Sequence, residues 1–184
     1  IWGEMILNKV LELSGLKEGI EYKKEFSIKN YRPDVVVFLP NNKKVIIDAK
    51  TSLKAYSNYI ATSNKEYLKE HINSIKRHIN DISNKNYEEL IKEGLDFILL
   101  FIPIDSALAL AQEEDTELFE FAFKKRVILT SPSTLLASLR AIESSWRVKN
   151  QEQNIKKVID DANILYNKVR GFIEDFTKVG KSLQ

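Results

Sequence analysis

Apolar residues along this chain recur with three different periods, and each period predicts a different element. Leu7, Val10, Leu11 and Ser14 follow helical spacing, so residues 3–14 are expected to form a helix that Gly15 can cap. Ile20, Tyr22, Phe26 and Ile28 alternate with mostly charged residues, which predicts a strand over 20–28 with one face buried. Val35 to Leu39 and Val45 to Ile47 are apolar on both faces, the pattern of buried, central strands. Pro40-Asn41-Asn42-Lys43 between them predicts a turn. Leu68, Ile72, Ile75, Ile79 and Ile82 form one stripe of a helix over 64–82. Asp96 to Ile102 is another two-sided strand, closed by Pro103. Residues 105–125 read as two helical pieces and Val127 to Leu129 as a short strand. Ser131-Pro132 opens a further helix, with Ser as N-cap and Pro at the first helical position.

The third period belongs to the tail. Ile155, Val158, Ala162, Leu165, Val169, Phe172, Phe176, Val179 and Leu183 alternate steps of three and four, a heptad seam. Ile159, Tyr166 and Ile173 widen it. Such a stripe either wraps on the core or pairs with another chain or with a segment outside this sequence. The expected organisation is an α/β domain over 1–150, with a mixed sheet flanked by helices, followed by a long C-terminal helix over 151–184.

Composition fits one soluble domain. Apolar residues make up 43% of the 184 positions, charged residues 29%, and the net charge is +2. With no cysteine, disulfides, thiolate metal sites and a Cys nucleophile are excluded. His71 and His78 are the only histidines, too few for a His-rich metal cage. The longest apolar run, Phe97 to Ile102, is far short of the ~20 residues of a membrane helix, so no membrane contact is expected of these residues. The chain opens on Ile1-Trp2 rather than Met and reads as a fragment of a longer protein. Charge is uneven: residues 41–80 carry eight bases and three acids, and residues 81–126 carry five bases and eleven acids. A basic region beside an acidic one suits an anionic partner on one face.

Candidate chemistry concentrates at Pro33-Asp34 and Asp48-Ala49-Lys50. Asp48 and Lys50 share a strand face by alternation. Whether Asp34 joins them depends on hairpin register. If Leu39 pairs with Lys43, Asp34 opposes Asp48; if Pro40 pairs with Lys44, Asp34 opposes Lys50. A two-residue loop at Asn41-Asn42 turns Asp34 away. The site therefore requires a three-residue loop or a bulge. Two carboxylates ~4.5–5.5 Å apart across strands repel unless a cation lies between them. Hard oxygen donors suit Mg²⁺ or Mn²⁺, and a nearby lysine can orient a water and stabilise charge building on a phosphate. The set is suited to phosphodiester hydrolysis.

The order helix, three-strand meander, helix, strand resembles the core of the PD-(D/E)xK nucleases, with Asp34 and Asp48 as the acids and Lys50 as the lysine. Longer strings narrow the resemblance: Trp-Gly-Glu at 2–4, Ser-Gly-Leu at 14–16, Arg-Pro-Asp-Val at 32–35 and Ile-Asp-Ala-Lys at 47–50. Phe-Ile-Pro-Ile at 101–104, Thr-Ser-Pro-Ser-Thr-Leu-Leu at 130–136 and Leu-Tyr-Asn-Lys at 165–168 follow. All seven in this order resemble the RmuC family of bacterial DNA recombination proteins, over nearly the whole chain.

That resemblance implies a DNA partner, a role in recombination or repair that limits DNA rearrangement, and Mg²⁺- or Mn²⁺-dependent nuclease activity. It implies Asp34, Asp48, the Ala49 carbonyl and Glu4 around the metal, with Lys50 assisting the attacking water. It also implies a cytoplasmic bacterial setting and a parent protein with an upstream coiled coil, often after a hydrophobic N-terminal anchor. The heptad seam of the C-terminal helix, with that coiled coil as a further partner, offers a route to a homo-oligomer. Lys54, Lys76, Arg77, His78, Arg140 and Arg147 are the candidates for holding DNA phosphates. His71, Lys69, Lys76, Arg77 and His78 are expected to share one helix face. Trp146 reads as core. Ser131, Ser133 and Thr134 read as helix capping, and the absence of a Gly-rich phosphate loop argues against ATP use. The alternative function is a DNA-binding or scaffolding module that keeps a nuclease-like fold without turnover.

Overall fold

Two-sided apolar strands must be covered on both faces, and the computed structural model builds such a sheet. It describes residues 2–27, 32–49, 52–84 and 87–182. In chain order the elements are α1 (Trp2–Ser14), β1 (Tyr22–Lys24), β2 (Val35–Phe38), β3 (Lys44–Ala49), α2 (Lys54–Thr62) and α3 (Lys65–Ser83). Then come α4 (Tyr87–Lys92), β4 (Leu95–Phe101), α5 (Asp105–Glu114), α6 (Leu118–Lys124), β5 (Val127–Thr130) and α7 (Pro132–Ser182). Among the described residues this is a mixed α/β fold with five strands and seven helices.

The strands form one sheet in the order β1-β2-β3-β4-β5. The first three are an antiparallel meander, while β4 runs parallel to β3 and β5 parallel to β4. Parallel neighbours need crossover connections, supplied by α2 to α4 and then by α5 and α6. On one face Val36, Ile46, Ile98, Leu100, Val127 and Leu129 join a single core with the α3 stripe Leu68, Ile72, Ile75, Ile79 and Ile82. On the other, Val35, Val37, Val45 and Ile47 are buried, and α1 packs on β3 with Leu7, Val10 and Leu11 inward. Each fully buried aliphatic side chain contributes roughly 1.5–3 kcal/mol. This double cover fixes the ends of β2 and β3 at the rim where the acids lie.

Local chemistry sets the element ends. Gly15, at φ +81°, closes α1 in the left-handed region that glycine favours. The Asn64 side chain accepts from the Glu66 N–H and caps α3. Leu39 N–H donates to the Lys43 carbonyl at 2.8 Å, and Asn42 takes φ +65°. The β2–β3 hairpin thus has the three-residue loop Pro40 to Asn42.

Several expectations change. The strand read over 20–28 is three residues long. Glu25 leaves β geometry at φ +49°, Ile20 is exposed, and Ile28 lies outside the described residues. Helices α2 and α4 add to the expected list. The helix opening at Pro132 runs on without a break through the tail to Ser182, 51 residues. The Ser131 hydroxyl does not cap it; it donates to Asp105, while Thr134 Oγ1 accepts from the Ser131 N–H at 2.8 Å. Asp105 also accepts from the Ser133 N–H at 3.2 Å, so a residue of α5 caps α7.

The chain divides into two units, residues 1–143 and 144–184. In the second unit, α7 carries its apolar residues exposed, among them Ile155, Leu165, Val169, Phe172 and Phe176. No helix among the described residues is long and apolar enough to cross a membrane.

Candidate active site

The hairpin register decides what the acids do. Val35 pairs with Ile47, Val36 with Ile46, Val37 with Val45 and Phe38 with Lys44. Continued by one position, this register sets Asp34 opposite Asp48, the first of the arrangements the sequence allowed. Asp34 Oδ2 accepts the Ala49 N–H at 2.7 Å, which holds its carboxylate against the end of β3.

Asp48 has its own partner. His78 Nε2, five residues before the end of α3, lies 2.6 Å from Asp48 Oδ2. The side chains are 23% and 16% exposed, so the contact is shielded from bulk water without being sealed from it. The α3 stripe makes this possible: Ile75, Ile79 and Ile82 hold the helix on the sheet, and His78 falls beside them, over the rim of β3.

Glu4, in the first turn of α1, lines a cleft of about 310 Å³ together with Leu7, Asn8, Lys24, Glu25, Asp34 and Val35. Burial raises the Asp34 carboxyl above the ordinary carboxylate value. The Ala49 N–H pulls it down, Asp48 and Glu4 push it up, and His78 pulls it down, leaving the raised value. Asp48, Glu4 and His78 thus all lie near enough to act on the Asp34 carboxyl.

Lys50 lies outside the described residues. Ala49 is buried, and its N–H serves Asp34. Among the described residues no three acidic, histidine or cysteine side chains are gathered closely enough to enclose an ion by themselves. The donor chemistry still fits Mg²⁺, which takes one or two protein carboxylates and completes its shell with water and phosphate oxygens. Burial is the main reason the Asp34 carboxyl is raised, with Asp48 and Glu4 adding to it.

The cationic candidates separate. Lys54 is exposed at the first position of α2, and Arg77 is exposed on α3. Lys76 is held by Asp115 at 2.6 Å and lies over the Phe121 ring, 5.6 Å from its centroid. Arg140 reaches the Ser14 carbonyl at 3.5 Å, at the C-terminal end of α1 where a cation is favoured. Arg147 is exposed and belongs to the second unit. His71 is not on the His78 surface: it is 1% exposed and its Nε2 lies 3.0 Å from the Ala107 carbonyl. Its position three after Leu68 already placed it on the inward stripe. Trp146 is half-buried, with the Lys149 ammonium 5.5 Å from its ring centroid. Sequence reasoning missed the His78–Asp48 pair, because the two residues are 30 positions apart and only the packing of α3 joins them.

The model of the RmuC family matches residues 1–184. A "DNA recombination protein RmuC homolog" of Pseudomonas aeruginosa is 42% identical over 195 aligned positions, covering 100% of this chain and 43% of its own length. "DNA recombination protein RmuC" of Escherichia coli K12 is 42% identical, covering 99% of this chain and 40% of its own length. The Vibrio cholerae homolog is 41% identical, with 99% and 37% covered. This chain thus spans about two fifths of the length of the curated relatives it matches. No solved structure matches it. With its full length matched by one family model and by relatives at these identities, the chain belongs to the RmuC family.

Proposed function

We propose that this chain is the nuclease domain of a DNA recombination protein, with a core of the PD-(D/E)xK type, hydrolysing DNA phosphodiester bonds with Mg²⁺ or Mn²⁺. The observation that carries the reading is the β2–β3 register, Val35 against Ile47, which continued by one position sets Asp34 opposite Asp48, together with the Asp34 carboxylate held on the Ala49 N–H at 2.7 Å. Two facing carboxylates at a half-buried rim cost stability, and that cost is explained if they serve a cation.

Asp34 and Asp48 would hold the ion, with the Ala49 carbonyl and Glu4 as further oxygen donors. A bound divalent ion supplies Lewis acidity toward a phosphate oxygen and lowers the pKa of a water. The chain's own groups do the positioning. The Ala49 N–H fixes the Asp34 carboxylate, and His78 fixes the Asp48 carboxylate, so neither has to be ordered when substrate arrives. Lys50 orients the attacking water and offsets negative charge building on the phosphate. Lys54 and Arg77, both exposed, steer the DNA backbone toward the rim; Lys76 and Arg140, already engaged within the fold, contribute more weakly.

The test is cleavage of DNA by the wild-type chain and by Asp48→Ala and Lys50→Ala, each checked for an unchanged circular dichroism spectrum. Mg²⁺-dependent cutting by the wild type alone supports the reading. Equal residual cutting by all three overturns it, since the activity then comes from a contaminant.

A second reading has its own support. Asp48 Oδ2 is already engaged by His78 at 2.6 Å, which takes one carboxylate oxygen away from an ion. That arrangement suits a domain that binds DNA without turning it over. Its signature is DNA binding that weakens steeply with salt, with no cleavage under any divalent ion.

A further inference from the structure

The second unit carries a long exposed apolar stripe that the proposed function leaves unassigned. Along α7, Ile155, Val158, Leu165, Val169, Phe172 and Phe176 are 49–71% exposed, and they fall with Ala162 on the a and d positions of one heptad frame. In that frame the e positions are Ile159, Tyr166 and Ile173, and the g positions are Asn154, Asp161, Lys168 and Asp175. Between residues 151 and 178, Ile164 is the one aliphatic or aromatic side chain off the a/d/e stripe. The seam is thus lined by apolar residues on one flank and by polar and charged residues on the other.

This asymmetry selects an orientation. In a parallel pair of identical helices each g residue flanks an e residue of the other copy. Asn154 would then meet Ile159, Asp161 would meet Tyr166 and Lys168 would meet Ile173, a polar group against an apolar one at every turn. In an antiparallel pair e meets e and g meets g. The apolar flank then closes on itself, and the charged flank does the same.

Charge sets the register. When Ile155 meets Phe172, Val158 meets Val169 and Ala162 meets Leu165, Asp161 of each copy lies beside Lys168 of the other. Ile159 packs on Tyr166, and no core layer holds two Phe or two Ala. Sliding one heptad in one direction brings Asp161 to Asp175 and Lys168 to Lys168. Sliding in the other brings Asp161 to Asp161. Among the described residues neither Asp161 nor Lys168 has an ion-pair partner, whereas Asp175 already has Lys178 at 3.2 Å.

The geometry points to a second copy of this chain as the occupant: α7 forms an isologous antiparallel coiled coil over residues 151–176, in the register that pairs Asp161 with Lys168. This inference does not depend on nuclease activity.

The natural absence of cysteine makes the test direct. Val158→Cys and Val169→Cys chains are oxidised separately and as a mixture, and the oligomeric state is measured by sedimentation. The inference expects a dimer, and a disulfide that joins the two variants only in the mixture. A disulfide formed by either variant alone, a monomer at all concentrations, or a higher oligomer overturns it. Lys168→Glu should weaken the dimer roughly fivefold to tenfold, and adding Asp161→Lys in the same chain should restore it, since these are rim charges. No response to either change would also overturn the register.

Discussion

Asp34→Asn separates the cost of the candidate site from its use. Asn keeps an oxygen that can accept the Ala49 N–H, now seen at 2.7 Å to Asp34, and it removes one of two opposed charges. At the ~5 Å of a cross-strand pair, two unit charges repel by about 3 kcal/mol at an effective dielectric of 20, and by about 0.8 kcal/mol in water. The Asp48 side chain is 16% exposed, which places the site between these limits. A gain of about 1–2 kcal/mol is expected in metal-free buffer near neutral pH. For a domain of this size that is a rise in melting temperature of roughly 3–6 °C. The sign also fixes a pH dependence. Burial, then Asp48 and Glu4, hold the Asp34 carboxyl above its ordinary value. Its ionisation therefore opposes folding, in full above the folded-state pKa and not at all below the unfolded-state pKa near ~4. The advantage of Asn should open as pH rises through that window and close as it falls. Mg²⁺ should reverse the order: an ion at 100 times its Kd stabilises the wild type by about 2.7 kcal/mol and the variant far less. Asp34→Ala, which leaves the buried Ala49 N–H without this acceptor, should lose about 1–3 kcal/mol relative to Asn. Thermal and urea unfolding in EDTA and in Mg²⁺ read all of this. An Asn variant as unstable as the Ala variant, or an equal Mg²⁺ shift in wild type and variant, refutes the argument.

Three further substitutions test the scaffold around the rim. At Gly94 (φ +88°) an added Cβ would lie 3.1 Å from the Asn42 carbonyl, so Gly94→Ala should cost about 1–3 kcal/mol in urea unfolding and disturb the loop that sets the Asp34–Asp48 register. Ile75→Ala opens a cavity under the sheet at a fully buried position and should cost about 2–5 kcal/mol by the same assay. Burial raises the Asp105 carboxyl, but hydrogen bonds from Ser131 and Ser133 outweigh it and leave the value low. The stabilisation that follows is present above the unfolded-state pKa and is lost as pH falls through the folded one; Asp105→Ala should cost about 1 kcal/mol at pH 7 in thermal melts.

What could be read from the chain was the part that rests on burial. The two-sided strands at 35–39 and 96–102 and the α3 stripe announce themselves, because a sheet covered on both faces leaves no polar positions. Asp34 facing Asp48 followed once the loop length was fixed, and a turn of Pro and two Asn left three registers open. Helix α2 was not legible, since it buries only Tyr56 and most of its other positions are polar or small. The strand at 20–28 promised alternation but breaks at Glu25, where φ turns positive. The boundary expected between 150 and 151 falls within Asn-Gln-Glu-Gln-Asn at 150–154, which contains no Gly or Pro to end a helix, and α7 runs through it. His78 on Asp48 is a product of tertiary packing, and helical periodicity alone could not say which strand end it would meet.

The most direct test of the central claim is a crystal of this chain soaked in Mn²⁺ and measured for anomalous scattering. The account predicts a peak shared by the Asp34 and Asp48 carboxylates, at metal–oxygen distances of roughly 2.0–2.3 Å, that disappears in Asp48→Ala. A soak in which Mn²⁺ binds elsewhere and leaves that pair without a peak would contradict it.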